Sequence, residues 1–358
     1  MRVGVLTTSY PRDPDDAAGA FVAGFARWLL AHVGDVDVVC ADGARPLFYR
    51  GGAPEALARG GRWTEAAAFS AHLLIEAKRR ARGWDAVVSH WLVPSAAVGD
   101  ACAPGRHLAI AHGSDVRLLS SLPGGRALVR RLARRADLVY VAEALRVEGA
   151  PGRVVPMAVE VAPIAAATDA AARARARAAL AVDGLVVAFL GRLIADKGVD
   201  LLIDALPEGA TLLVGGAGPA RAALERRAAR GDVRWLGHVA GADKLALLAA
   251  ADLLAIPSRV DGAPTVALEG LAAGLPMVAT RAGGLPELLD ASTALFCDAS
   301  APSLAAALAR LRDDVGLRAT MAASARAAAP AHDWSRVAPR LWNAATDAGG
   351  GCIRTIRV

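Results

Sequence analysis

The chain has 358 residues, more than one compact core of ordinary size accommodates, which implies two domains of roughly 150–200 residues each. Hydrophobic residues make up 54% of it, enough for two cores and too many for global disorder. The net charge of +6 is carried almost wholly by arginine, with aromatics at only 4% and no basic patch interleaved with stacking residues. That excludes a nucleic-acid binder and leaves an anionic small ligand or an anionic membrane surface open.

Residues 1–8 form a short apolar run ending in turn residues, without a signal-peptide apolar region or cleavage site, and read as a first buried strand. Further apolar runs at 36–40, 86–89, 107–111 and 138–141 read as strands. Between them lie alanine- and arginine-rich segments with apolar spacing of three and four, such as 21–31 and 124–135, which read as helices. Prolines interrupt the pattern over 151–163. A helix is expected at 169–180, and a second series of strands at 186–190, 211–214, 233–236, 253–256 and 277–279. Continuous apolar strands separated by helices imply parallel sheets covered on both faces. The expected architecture is therefore α/β, with two doubly wound domains and a hinge near 158–166. Ligands in such sheets bind at the carboxyl ends of the strands, and a cleft between the domains is the expected site. A last helix is expected at 333–346, followed by a mobile glycine-rich tail at 349–358.

No apolar stretch approaches the roughly 20 residues of a transmembrane helix. Cys40, Cys102, Cys297 and Cys352 are scattered, so neither a zinc site nor a disulfide framework is expected, and a cytoplasmic setting fits. Arg126, Arg130, Arg131, Arg134 and Arg135 crowd one helical segment, which reads either as a peripheral membrane contact or as a solvated helix face.

Several loops carry residues suited to chemistry. Gly19 follows the loop after the first strand and opens a helix, where a glycine admits a ligand to the backbone. His112 ends an apolar strand, with Ser114 and Asp115 placed to cap the next helix; alternatively it is an ordinary core or loop histidine. Gly191 and Arg192 follow the strand at 186–190, and Lys197 precedes a helix. An arginine fork and a lysine point charge there can clamp a diphosphate, or both can be plain loop cations. Lysine occurs only at 78, 197 and 244, which favours a role for Lys197. In the segment after the strand at 253–256, Pro264 suits the first turn of a helix whose free amides favour an anion. Asp261 and Glu269 stand eight residues apart across that junction. Glu269 can accept hydrogen bonds from vicinal ribose hydroxyls, or Asp261 caps the loop and Glu269 lies on the surface. The glycines around Gly216 do not complete a dinucleotide fingerprint, since Arg221 takes the third glycine position; no phosphate-binding P-loop, nucleophile elbow or clustered metal-ligand set is present.

Together these segments resemble the retaining glycosyltransferases of family 4, which have the GT-B fold of two facing Rossmann-like domains. The resemblance covers nearly the whole chain. It runs from Ser9-Tyr-Pro through Gly19-Ala-Phe-Val, His90-Trp91, His112-Gly-Ser-Asp and Val155-Pro-Met, then Gly191-Arg, Lys197-Gly, Gly215-Gly-Ala-Gly-Pro, Leu236-Gly-His-Val and the Asp261 to Glu269 block. It implies an acceptor domain at 1–162, joined by a closing helix at 333–346, and a donor domain at 163–332. It implies that Arg192 and Lys197 bind the diphosphate of a nucleotide-sugar donor and Glu269 its ribose. Asp261 would contact the donor sugar, His112 would touch that sugar near the reaction centre, and Gly19 would lie beside the diphosphate. Backbone at Gly262, Ala263, Pro264 and Thr265 would contact sugar and phosphate, Gly237, His238 and Val239 would flank the base, and Gly191 and Gly216 would also bind the donor. Asp261 departs from the commoner glutamate and reaches one methylene less far. The implied reaction is transfer to an unidentified acceptor with retention at the anomeric carbon and without a metal cofactor. A nucleotide-sugar 2-epimerase or hydrolase, and an inactive GT-B binding subunit, are the alternatives.

Overall fold

The computed structural model describes residues 1–13, 16, 18–40, 57, 62–103, 105–229 and 231–343. Cys352, the tail at 349–358 and the last three positions of the expected closing helix, 344–346, lie outside the described residues. The chain divides into two compact units. The first takes in Met1–Asp13, Ala18–Ala158 and, after the chain returns, the helix Trp334–Trp342; the second is Val159–Asp333.

Among the described residues the first unit has one six-stranded parallel sheet. Its strands are β1 (Arg2–Leu6), β2 (Asp35–Val39), β3 (Ala86–His90), β4 (Arg106–Ala111), β5 (Asp137–Tyr140) and β6 (Arg153–Val154), in the order β2-β1-β3-β4-β5-β6. The chain therefore winds one way from β1 to β2, then steps back to β3 and winds the other way. Every residue of β3 is buried, as a central strand covered on both faces requires. The helix Trp334–Trp342 completes this unit: Trp334 lies against Gly24 and stacks on Phe25 at 5.9 Å between ring centres. Arg106 sits over the Trp342 ring at 4.6 Å, and Arg153 Nη1 donates to the Arg340 carbonyl at 3.2 Å.

The second unit repeats the design. Its strands are β7 (Val186–Leu190), β8 (Thr211–Gly215), β9 (Asp232–Gly237), β10 (Leu253–Ile256), β11 (Met277–Thr280) and β12 (Ala294–Cys297), ordered β12-β11-β10-β7-β8-β9. Alternation along each strand feeds two cores. Ala188, Leu213, Leu254 and Met277 pack into one layer, while Val187, Leu212, Leu253 and Val278 pack into the other. The helix Ala170–Ala179 starts where Asp169 accepts from Ala172 N at 2.7 Å. Two of its arginines hold the fold together. Arg173 and Arg177 both bond Asp252, at 2.5 and 3.1 Å, fixing the helix to the start of β10. The two ends of the unit are pinned together, since Val159 N donates to the His332 carbonyl at 3.1 Å and Val161 N to Asp333 Oδ2 at 3.1 Å.

Both doubly wound sheets agree with the sequence reading. The short strands β6 and β12 were not expected. One lies inside the proline-interrupted stretch and is two residues long; the other is a four-residue edge strand.

The first unit also buries polar groups. His107 Nε2 lies 2.9 Å from Ser89 Oγ, in space that opens only because residue 99 is glycine. Burial pushes the His107 pKa down to about 4 from an ordinary 6.5. Between those values the unfolded chain takes up a proton that the fold refuses. Stability is therefore intact above about pH 6.5 and falls as the pH drops toward 4. His107→Gln should flatten that acid slope by up to about 1.4 kcal/mol per pH unit, measured by urea unfolding between pH 7 and 4.5. An unchanged slope would mean that His107 protonates freely in the fold.

Candidate active site

In the second unit the winding reverses between β7 and β10, so the loops leaving these two neighbouring strands diverge and leave a recess between them. Gly191 and Arg192 follow β7. Lys197 ends a single turn, Ala195–Lys197, that leads into the helix Val199–Ala205. Pro257 to Pro264 follow β10 and lead into the helix Thr265–Ala273.

These loops are locked to each other. Arg259 N and Val260 N donate to the Asp196 carbonyl at 2.7 and 3.2 Å, and Arg259 forks onto Asp200 at 2.8 and 2.6 Å. Gly198 has a left-handed backbone, φ 67°, and a Cβ there would strike the Pro257 carbonyl. The result is that Lys197 Nζ lies 2.6 Å from Asp261 Oδ2, with both side chains mostly buried. Ser258 Oγ donates to the same oxygen at 2.9 Å, and Gly262 N donates to Oδ1 at 2.9 Å. Both oxygens of Asp261 are thus engaged by the protein. An ammonium has three N–H donors; Asp261 takes one, which leaves two that can meet an anion.

Glu269 lies in the helix Thr265–Ala273, mostly buried, with Oε1 2.6 Å from Lys244 Nζ. It is neither an exposed residue nor an isolated carboxylate. Lys244, on the helix Gly241–Ala250, was missed in the sequence, although the scarcity of lysine that singles out Lys197 applies to it equally. Pro264 occupies the position just before the helix rather than its first turn, with φ −71° and ψ 123°. No side chain caps that helix start, so its leading amides are available to an anion. The Gly262 N–H goes to Asp261 and its carbonyl accepts from Gly284 N at 2.5 Å, so its backbone is engaged within the loops. Ala263 on the same loop and Thr265 at the helix start are half-buried. Gly283 and Thr280 were also missed. A Cβ at Gly283 would meet the Asp261 carbonyl, and Thr280 Oγ1 donates to the Ser258 carbonyl at 2.5 Å.

The glycine loop after β8 closes the other side. Gly191 N donates to the Gly215 carbonyl at 3.0 Å, Leu193 N to Ala217 at 2.9 Å, and Gly216 N to Gly237 at 2.6 Å. Gly216 has φ 152°, and a Cβ on it would run into the Gly191 carbonyl. Beside Gly237 the space is open, with Arg221 Nη1 the nearest atom at 3.8 Å from where a Cβ would lie. His238 is exposed, whereas the Val239 side chain is buried in the core, so only its backbone can face a ligand.

In the first unit the winding reverses between β1 and β3. The loop after β1 ends at Gly19, which starts the helix Ala20–His32. A Cβ there would lie against the Ser9 carbonyl, so the packing of the chain's own loop requires this glycine. Phe21 brings the helix start onto His112, with ring centres 4.9 Å apart. His112 Nε2 is 3.0 Å from His90 Nδ1. Burial pushes His90 down to about 3, and burial with repulsion from His90 holds His112 well below the usual imidazole range. Both rings are therefore neutral near pH 7, one donating to the other. The cap position of the next helix is Gly113 rather than Ser114 or Asp115, and Asp115 lies inside the first turn. Its carboxylate accepts from Leu92 N at 2.7 Å, His112 N at 3.2 Å, Gly113 N at 2.9 Å and Val116 N at 3.0 Å. Burial pushes its pKa up, against the pull of those amides.

A model of the family "Glycosyl transferases group 1" matches residues 184–314, which include both loops of the second unit's recess. A GDP-mannose-dependent monoacylated alpha-(1-6)-phosphatidylinositol monomannoside mannosyltransferase of Corynebacterium glutamicum is 32% identical over 262 residues, covering 66% of this chain and 68% of that protein. The chain is a group 1 glycosyltransferase. A D-inositol 3-phosphate glycosyltransferase of Salinispora arenicola is 39% identical over 194 residues; the match covers 48% of this glycosyltransferase and 43% of that protein. Among solved structures, a sucrose-phosphate synthase of Thermosynechococcus elongatus superposes with a TM-score of 0.76 at 20% identity, covering 97% of this chain and 100% of that one. That likeness is one of fold: both are GT-B chains. The glycosyltransferase moves a sugar from a nucleotide sugar to an acceptor.

The arginine-rich helix Gly125–Ala133 is largely engaged within its own unit. Arg131 and Arg135 bond Asp100 at 3.4 and 2.7 Å, and Arg130 bonds the Glu148 carbonyl at 2.9 Å. No helix among the described residues is long and apolar enough to cross a membrane. Cys40, Cys102 and Cys297 are free thiols.

The close approach at Gly216 gives a direct test of the loop. Gly216→Ala should cost at least about 2 kcal/mol of unfolding free energy, since the new Cβ meets backbone and φ is one that L residues avoid. A urea midpoint equal to that of the parent would show that the loop relaxes without loss.

Proposed function

We propose that this glycosyltransferase holds the donor diphosphate with Arg192 and Lys197, holds the donor ribose with Glu269, and transfers the sugar with retention at the anomeric carbon. The observation that carries the reading is the Lys197–Asp261 bond, formed between loops on either side of the winding reversal, where a doubly wound sheet binds its ligand. Leaving-group departure builds negative charge on the diphosphate. A cation already fixed in place, as Lys197 is, stabilises that charge more than it stabilises the bound donor, which lowers the barrier. The acceptor oxygen attacks the face from which the diphosphate leaves, and its proton passes to a β-phosphate oxygen.

Asp261 acts on this reading chiefly through Lys197, which it orients, rather than as the main ligand of the donor sugar. Lys244 has the same relation to Glu269: it takes Oε1 and leaves Oε2 for a ribose hydroxyl. Backbone at Gly191, Gly216 and Ala263 to Thr265 borders the sugar and phosphates, and Gly237 to Val239 the base. On the first unit the functional edge is the neutral His112 turn with the helix start at Gly19. The two cations supply the positive charge, so activity is expected to survive chelation of divalent metals.

GDP-mannose, named for the Corynebacterium relative, is the first donor to assay. Lys197→Ala should lower turnover by about 10²–10³-fold, the scale of one lost transition-state contact. Near-normal turnover would remove Lys197 from the mechanism. Arg192→Lys should also be damaging, because the fork is lost. Lys244→Ala should raise donor KM by about tenfold with kcat changed less than about threefold, as expected when a ground-state contact loses its support. A product of inverted anomeric configuration, read from its proton coupling, would overturn retention.

A further inference from the structure

The first unit contains a cavity of about 550 Å³ whose lining is almost entirely apolar. One wall is the helix Trp63–Arg80. That helix carries two neighbouring apolar stripes. Phe69, Leu73 and Ala77 are buried in the core beneath it. Trp63, Ala67, Ser70 and Ala71 face the cavity, and Ala66 and Leu74 border both it and the core, at steps of three and four. The opposite walls come from Val93, Pro94 and the helix Ala97–Cys102, and from Leu118 and Leu122 at the end of the helix Ser114–Ser121.

Ser70 and Asp115, two of the few polar side chains in the lining, are already satisfied. Ser70 Oγ donates to the Ala66 carbonyl at 2.7 Å. Asp115 spends both oxygens on four backbone amides. A sugar or phosphate would find few partners here, and water is poorly held in a space so apolar. The volume lies within the range of ordinary ligand pockets. One residue joins the cavity to the polar edge of the unit. Trp91 lines the cavity and packs on His112 with ring centres 4.8 Å apart. Its backbone is held at φ 69°, a conformation a bulky residue rarely adopts, so its placement is enforced by the fold. A ligand that fits is apolar along its length and polar at one end.

We propose that the cavity takes the aliphatic chain of a lipid-type acceptor, whose polar, hydroxyl-bearing end lies at the His90–His112 turn. That the ligand is an acceptor rests on the glycosyltransferase reading above; that the cavity binds an aliphatic chain does not.

The test is direct binding of methyl, hexyl and decyl mannosides, followed by tryptophan fluorescence. Trp63 and Trp91 both line the cavity, so decyl chains brominated near the sugar or at the far end should quench tryptophan fluorescence, the near-sugar bromine reaching Trp91. Each buried methylene is worth about a fourfold gain in affinity, so decyl should bind at least about tenfold more tightly than hexyl, and methyl should not bind measurably. Ala66→Phe and Ala97→Phe fill the space and should weaken decyl binding at least about tenfold. The same variants should keep the parent's thermal shift with a nucleoside diphosphate. No dependence on chain length, or equal decyl binding by the filled variants, overturns the proposal. Decyl binding that the variants abolish, in a protein that no nucleotide stabilises, upholds the cavity and refutes the donor reading instead.

Discussion

A parallel strand must be followed by a crossover that lies on one face of the sheet. Where the winding reverses, two neighbouring strands send their crossovers in opposite directions, and the ends of those strands are left uncovered. This constraint acts once in each unit, between β1 and β3 and between β7 and β10. Most of the residues with chemistry gather at these two places. The fold leaves a gap there, and loop residues furnish it.

What furnishes the second gap is a set of charges that satisfy one another before any ligand arrives. Lys197 pairs with Asp261, and Lys244 with Glu269. Half-buried charges are costly when alone, because desolvation penalises the ionised form. Pairing keeps each charge in place at modest cost, and each partner retains hydrogen-bonding capacity for a ligand. Backbone does the rest. Gly198 against Pro257, Gly216 against Gly191 and Gly283 against Asp261 are close approaches that fix one loop on the next. A site held this way has little to reorganise when charge develops in it.

Much of this was legible in the sequence. The central strands stand out as continuous apolar runs, because both of their faces are buried. Arg192, Lys197, Asp261 and Glu269 could be picked out because they follow such runs at strand ends. The pairings could not be read. Lys244 meets Glu269 across two helices, and no local pattern reports that distance. Gly19 was legible as a necessary glycine, but not that its missing side chain makes room for Ser9. The two-residue β6 is invisible because so short a strand is defined by its neighbour. The apolar stripe from Trp63 to Leu74 looks like any buried helix face in sequence; only the packing of Phe69 and Leu73 beside it shows that the core is already supplied.

The return of the chain at Trp334 has a consequence for how the protein is made. Phe25, near the start, finds its stacking partner more than three hundred residues later. During synthesis the second unit, nearly all of it the segment Val159–Asp333, has all of its residues before the first unit does. The first unit must wait, its helix at Ala20–His32 lacking the Trp334 that covers it, until the last described helix leaves the ribosome. A protein cut between the two units would not yield a finished first unit, only one with its aromatic seam still open.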